Sequence, residues 1–124
     1  MLLAHARRNY KMGDKMKIEK PWGHEIRWAI TDKYLGKILH INAGQRLSLQ
    51  YHEVKDESIY VLEGTLLVKD GKRVTILEVG DSMRIQPGTI HRFCAPLTTH
   101  VKLIEVSTPE IDDVIRLEDD YNRN

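Results

Sequence analysis

The feature that most constrains this chain is a succession of short β-prone runs, each ended by a turn signal after roughly ten residues. The runs are "EIRWAIT", "YLGKILHI", "RLSLQYH", "SIYVLEGTLLVK", "KRVTILEV", "SMRIQP", "IHRFCA" and "VKLIEVS". Asp70-Gly71, between "TLLVK" and "KRVTIL", is a hairpin signal, and Ala43-Gly44, Glu63-Gly64, Gly80-Asp81 and Pro87-Gly88 supply further breaks. About eight strands so spaced predict an antiparallel sandwich or barrel. The tail "PEIDDVIRLEDDYNR" looks helical but is too polar for a core, so a helical or irregular end is expected.

Composition narrows the function classes. With 124 residues the chain is one domain with one ordinary core, and 41% hydrophobic against 30% charged residues is a globular profile. A formal charge of +1 leaves no excess of Lys and Arg to neutralise phosphates, which argues against nucleic acid as a partner. The single Cys94 excludes an intrachain disulfide and reads as a small buried hydrophobe. No apolar run approaches the roughly 20 residues that span a bilayer. "MLLAHARRNYKMGDKMKIEK" has only a short apolar start before two arginines and does not read as a signal peptide; residues 1–16 are expected to be an extension, 17–124 the single domain, and the cytoplasm its setting.

The stretch "GQRLSLQYHEVKDESIYVLEG", Gly44 to Gly64, carries the chemistry. Period-two alternation puts Leu47, Leu49 and Tyr51 on one face and Arg46, Ser48, Gln50 and His52 on the other. Glu57 shares a face with Ile59 and Val61, where a carboxylate is costly unless it is paired or bound to a metal. The polar row therefore points into a cavity. Downstream, "GDSMRIQPGTIHRF" places His91 after a Pro-Gly turn at the head of a strand. Imidazole, carboxylate and amide oxygen together suit zinc, manganese, iron, cobalt or nickel.

These residues resemble the two cupin motifs. Gly44, Gln50-x-His52, Glu57 and Gly64 follow the first, G-x5-H-x-H-x3-4-E-x6-G; Gly80 and "PGTIH" follow the second, with the proline displaced by one residue. "KPWGHE", "GQRLSLQYH", "PGTIHRF" and "LIEVSTPEIDDVIRLEDDYNR" further resemble the cupin domain of type II mannose-6-phosphate isomerases. In bacteria that domain is usually joined to a mannose-1-phosphate guanylyltransferase. The resemblance runs from about Lys20 to Arg123, and guanylyl transfer is not expected of this chain.

The resemblance implies an antiparallel jelly-roll β-barrel and one divalent metal ion held by Gln50, His52, Glu57 and His91. Glutamine stands where most cupins carry a first histidine, as it characteristically does in phosphomannose isomerases. An amide oxygen is a neutral, weaker donor than imidazole. With Glu57 as the only anionic ligand, the ion would keep net positive charge and could stabilise a developing enediolate. The implied reaction interconverts an aldose and a ketose phosphate. Arg46 and Lys55 are the expected substrate-binding cations, and no general base is identifiable. A small-molecule substrate and a homodimer pairing through Leu47, Leu49 and Tyr51 are the expected partners. The family usually continues "QMHHHRAEHW" where this chain reads "QYHEVKDESI", so Glu53, Val54, Lys55 and Ser58 depart from it, as does Ala95 after "HRF". Those departures leave two alternatives: a non-catalytic sugar- or metabolite-binding cupin, and a different cupin enzyme, an oxygenase or epimerase.

Overall fold

The computed structural model describes residues 16–123. It contains eleven strands and, among the described residues, no helix. They are β1 (Lys17–Lys20), β2 (Gly23–Ile30), β3 (Leu35–Ile41), β4 (Leu49–Tyr51), β5 (Glu57–Glu63) and β6 (Leu66–Lys69). Then come β7 (Val74–Leu77), β8 (Ser82–Ile85), β9 (Arg92–Cys94), β10 (Val101–Ser107) and β11 (Ile115–Glu118). No helix among the described residues is long and apolar enough to cross a membrane. The extension expected over residues 1–16 lies outside the described residues, save that the Met16 carbonyl accepts from Arg27 N at 3.0 Å.

Every strand pair is antiparallel. A six-stranded sheet runs β1-β2-β3-β10-β5-β8, facing a β7-β6-β9 sheet and a β11-β4 pair. Bridges Arg46–Cys94 and Gln50–His91 join β4 to β9, so the two smaller sheets form one opposing wall. This is the expected jelly roll. The Asp70-Gly71 hairpin forms as read: the Asp70 carboxylate accepts from the backbone N–H of Lys72 and Arg73 at 3.0 and 2.8 Å.

Side-chain alternation decides where the core ends. Inward positions run Val101, Leu103, Glu105, Ser107 along β10 and Val61, Ile59, Glu57 along the neighbouring β5. Apolar packing thus gives way to buried charge at one end of the barrel. The filled end holds Ile41, Val61, Leu66, Phe93, Val101 and Leu103, all at most 2% exposed. Each such side chain contributes about 1.5–3 kcal/mol by leaving water. Trp22 packs against this core from the β1–β2 turn. Gly23 follows at φ +151°, where a Cβ would collide with the His40 carbonyl.

One β-bulge shapes the cavity wall. Four residue steps from Arg46 to Gln50 oppose three from Cys94 to His91. Leu47 N donates to Phe93 O at 2.9 Å, while the buried Arg92 Nε donates to Leu47 O at 2.8 Å. The extra residue reverses the alternation. Leu47, expected on an outer apolar face with Leu49 and Tyr51, is buried in the core. Arg46, expected to share the face of Gln50 and His52, is turned outward and pairs with Asp120.

The tail is neither helical nor wholly irregular. Ile115, Arg116 and Glu118 pair with Tyr51, Gln50 and Leu49, covering an edge of β4 that would otherwise leave backbone groups open. β-Branched Val114 and Ile115 favour that extended form. The segment is fastened by Tyr121 Oη donating to Gln45 Oε1 at 2.7 Å and by Arg46 Nε on Asp120 Oδ2 at 2.7 Å.

Candidate metal centre

His52 follows β4, Glu57 opens β5, and His91 immediately precedes β9. All three are buried, and one ligating atom from each lies within 4.8 Å of the others. His52 Nε2 is 3.5 Å from Glu57 Oε2, and His91 Nε2 is 3.7 Å from Glu57 Oε1. Hydrogen bonds set both rings. His52 Nδ1–H donates to Asp113 O at 2.6 Å, and His91 Nδ1–H donates to Thr89 O at 2.9 Å. A carbonyl can only accept, so each Nδ1 carries a proton and each Nε2 is the ring nitrogen that faces Glu57.

The electrostatics suit a cation. Burial alone would raise the Glu57 carboxyl, but His52, Lys55 and His91 more than offset it and hold it to about 2. Burial pushes His91 down, toward the neutral form that can ligate, against the opposing pull of Glu57. Glu57 Oε2 accepts no well-aligned hydrogen bond although Lys55 Nζ is 3.0 Å away. Two inward-facing imidazole nitrogens around an under-satisfied carboxylate fit a divalent ion of the zinc, manganese or iron type. Gln50 is buried, lines the same cavity and is bridged to His91 across the barrel wall.

The cavity above these residues has a volume of about 210 Å³, and its floor is charged. Lys55, expected to bind substrate, is 3% exposed and lies between Glu57 and Glu105, with Nζ 2.9 Å from Glu105 Oε2. Burial would lower the Lys55 ammonium, but Glu105 and Glu57 raise it above its ordinary value. Burial, then Glu57, push the Glu105 carboxyl up against the opposing pull of Lys55 and Lys37. Farther along, Glu25 receives Lys37, Arg27 and Lys20 at 3.4, 2.8 and 3.6 Å. Arg46 is not part of this lining.

Sequence reading missed Glu25, Lys37 and Glu105. The signal was present, because Glu105 alternates with Val101 and Leu103 as Glu57 does with Ile59 and Val61. Lys37 likewise sits between inward Leu35 and Leu39. Cys94 is buried as expected, and burial pushes its thiol up.

Comparison with known proteins agrees with this architecture. Residues 6–119 match the family model described as mannose-6-phosphate isomerase C-terminal. The xanthan biosynthesis protein XanB of Xanthomonas campestris is 33% identical over 110 residues, 86% of this chain and 24% of XanB. The mannose-1-phosphate guanylyltransferase RfbM of Salmonella typhimurium is 31% identical over 118 residues, 90% of this chain and 24% of that protein. The chain thus spans about a quarter of the length of these relatives. Among solved structures, an RmlC-like cupin from Shewanella frigidimarina superposes with a TM-score of 0.71 at 21% identity, covering 86% of this chain and 95% of that one. Barrel, buried His-Glu-His cluster and sequence match agree: this chain belongs to the mannose-6-phosphate isomerase C-terminal family and has the cupin fold.

Proposed function

We propose that this domain is a metal-dependent isomerase that interconverts an aldose and a ketose phosphate. The observation that carries the reading is the convergence of His52, Glu57 and His91 on a charge-lined cavity in a chain of this family. Gln50 would complete the ligand set through its amide oxygen. A divalent ion bound there supplies a Lewis acid for the sugar's carbonyl oxygen, and a single anionic ligand leaves it net positive.

The chain's own residues supply the rest. His52 and His91 present Nε2, held by Asp113 and Thr89. Glu105, whose carboxyl is raised by burial and whose Oε2 lies 2.9 Å from the Lys55 ammonium, is suited to take a proton from one carbon and return it to the next. Lys55 is taken up by Glu57 and Glu105, so it acts on substrate only through its field. The setting is cytoplasmic, with a small molecule rather than nucleic acid as partner. Two copies would pair through the outer face of the six-stranded sheet, where Ile26, Ile38, Ile104 and Tyr60 form one cross-strand row.

The test is elemental analysis of the purified protein, then solvent deuterium exchange into mannose 6-phosphate and fructose 6-phosphate followed by NMR. Roughly one equivalent of metal with exchange at the carbon beside the carbonyl is expected, and Glu57→Gln should abolish both. A second reading, a sugar-phosphate-binding domain without turnover, is favoured by Lys55, whose ammonium already meets the only anionic ligand. Metal-loaded protein that binds sugar phosphates but exchanges no deuterium would replace the first reading with the second.

A further inference from the structure

Six cationic side chains line the cavity: Lys20, Arg27, Lys37, Lys55, Arg116 and Arg123. Five already face carboxylates within 3.6 Å: Lys20, Arg27 and Lys37 meet Glu25, Lys55 meets Glu57 and Glu105, and Arg123 meets Asp119. Arg116 has no carboxylate partner among the described residues, and its Nε is buried with no acceptor. Ser48 Oγ, in the same lining, is likewise buried and unpartnered. Buried polar groups in folded proteins nearly always find partners, so two unmet donors in one cavity mark a place for an acceptor-rich ligand.

Register fixes where that ligand would lie. Arg116 on β11 stands directly across from Gln50 on β4, and Gln50 is bridged to His91. Directly opposed residues of antiparallel strands project to the same side, so all three look into the cavity, as their place in its lining bears out. The guanidinium is one strand away from the candidate metal ligands. Its planar, permanently charged fork matches two oxygens of an oxyanion, which a neutral sugar hydroxyl does not offer.

We propose that Arg116 anchors the substrate's anionic group, a phosphate monoester, with the Ser48 hydroxyl as a second donor. This rests on the cavity being a sugar-phosphate site and assigns the anion to the C-terminal strand. Because the anion is held equally before and during reaction, Arg116 contributes to binding and not to the chemical step.

The experiment titrates the metal-loaded protein calorimetrically with inorganic phosphate, mannose 6-phosphate and mannonate. Arg116→Gln should retain its metal and lose roughly 10- to 100-fold in affinity for phosphate and mannose 6-phosphate. Arg116→Lys should fall between it and wild type, and Ser48→Ala should weaken binding by a smaller factor. Arg84→Gln removes a charge from the outer face, where Arg84 pairs with Asp56, and should bind as wild type does. Wild-type affinity retained in Arg116→Gln, equal weakening in Arg84→Gln, or metal-loaded wild type that takes up no phosphate overturns the proposal. Preference for mannonate over both phosphates overturns the phosphate assignment. If Arg116→Gln behaves as expected but wild type exchanges no deuterium, the isomerase reading fails and the anchor stands. With an unfolded Arg116→Gln, Arg116→Lys and Ser48→Ala decide, and wild-type affinity in both overturns the proposal.

Discussion

Lys55 Nζ lies 3.0 Å from Glu57 Oε2 and 2.9 Å from Glu105 Oε2, so one buried ammonium holds two buried carboxylates. Removing one member of a buried ionic group leaves uncompensated charge, at a cost of roughly 3–5 kcal/mol. Lys55→Met should therefore lower the denaturation midpoint by that equivalent in metal-free protein. Adding Glu105→Gln should restore part of the loss, because one carboxylate no longer needs a counter-charge. An undiminished midpoint in Lys55→Met would show that the three groups are not coupled.

Asp113 holds the ligand-bearing loop from both ends of its residue. Its carboxylate accepts from the backbone N–H of Glu53, Val54 and Lys55 at 3.0, 2.8 and 2.8 Å, while its carbonyl takes His52 Nδ1–H. Groups that orient metal ligands typically matter by about 10- to 100-fold in metal affinity. Asp113→Ala should weaken zinc binding by that factor and speed amide hydrogen exchange at residues 53–55. Unchanged affinity with faster exchange would mean the loop does not set the imidazole.

Arg46→Ala provides a contrast. Its partner Asp120 is exposed, so the pair contributes no more than about 1 kcal/mol. The variant should lose little stability and keep wild-type affinity for sugar phosphates in calorimetric titration. A tenfold loss of affinity would place Arg46 on the substrate after all.

A histidine stack on the outer sheet face makes stability pH-dependent. His24 and His100 flank His40 with ring centroids 4.9 and 4.6 Å away. Burial, then His100, His24 and Lys102, push His40 down, opposed by Glu63. The folded pKa therefore lies below the unfolded value of about 6.5. Stability is full above that value and declines as pH falls, since the unfolded chain takes the proton first. His91 has the same sign, so the share carried by His40 is the difference between wild type and His40→Gln. Melting curves from about pH 7.5 to 5.5 should be flatter for His40→Gln; parallel slopes would refute the effect.

Alternation and turn chemistry made the antiparallel barrel legible, and the resemblance to the two cupin motifs brought His52, Glu57 and His91 together. The bulge was not legible. Period-two reading assumes equal steps on both strands, and the extra residue between Arg46 and Gln50 exists only against its partner, Cys94 to His91. That one step moved Arg46 out and Leu47 in. The tail misled for a related reason, because local composition cannot register that β4 needs an edge partner. Glu105 and Lys37 were readable by the rule applied to Glu57, but without a nearby motif their strands passed as ordinary β-runs.

The three converging side chains come from three different sheets: His52 from the segment leaving β4, Glu57 from β5, and His91 from the approach to β9. An unfolded chain holds them too far apart to share an ion, so an ion gripped by all three favours only the folded state. It would act as a rivet through the barrel, and resistance to heat would track free metal by mass action, gaining about 2.7 kcal/mol at a hundredfold excess over the dissociation constant. Scarcity of metal would then be felt first as a loosening of the wall between sheets.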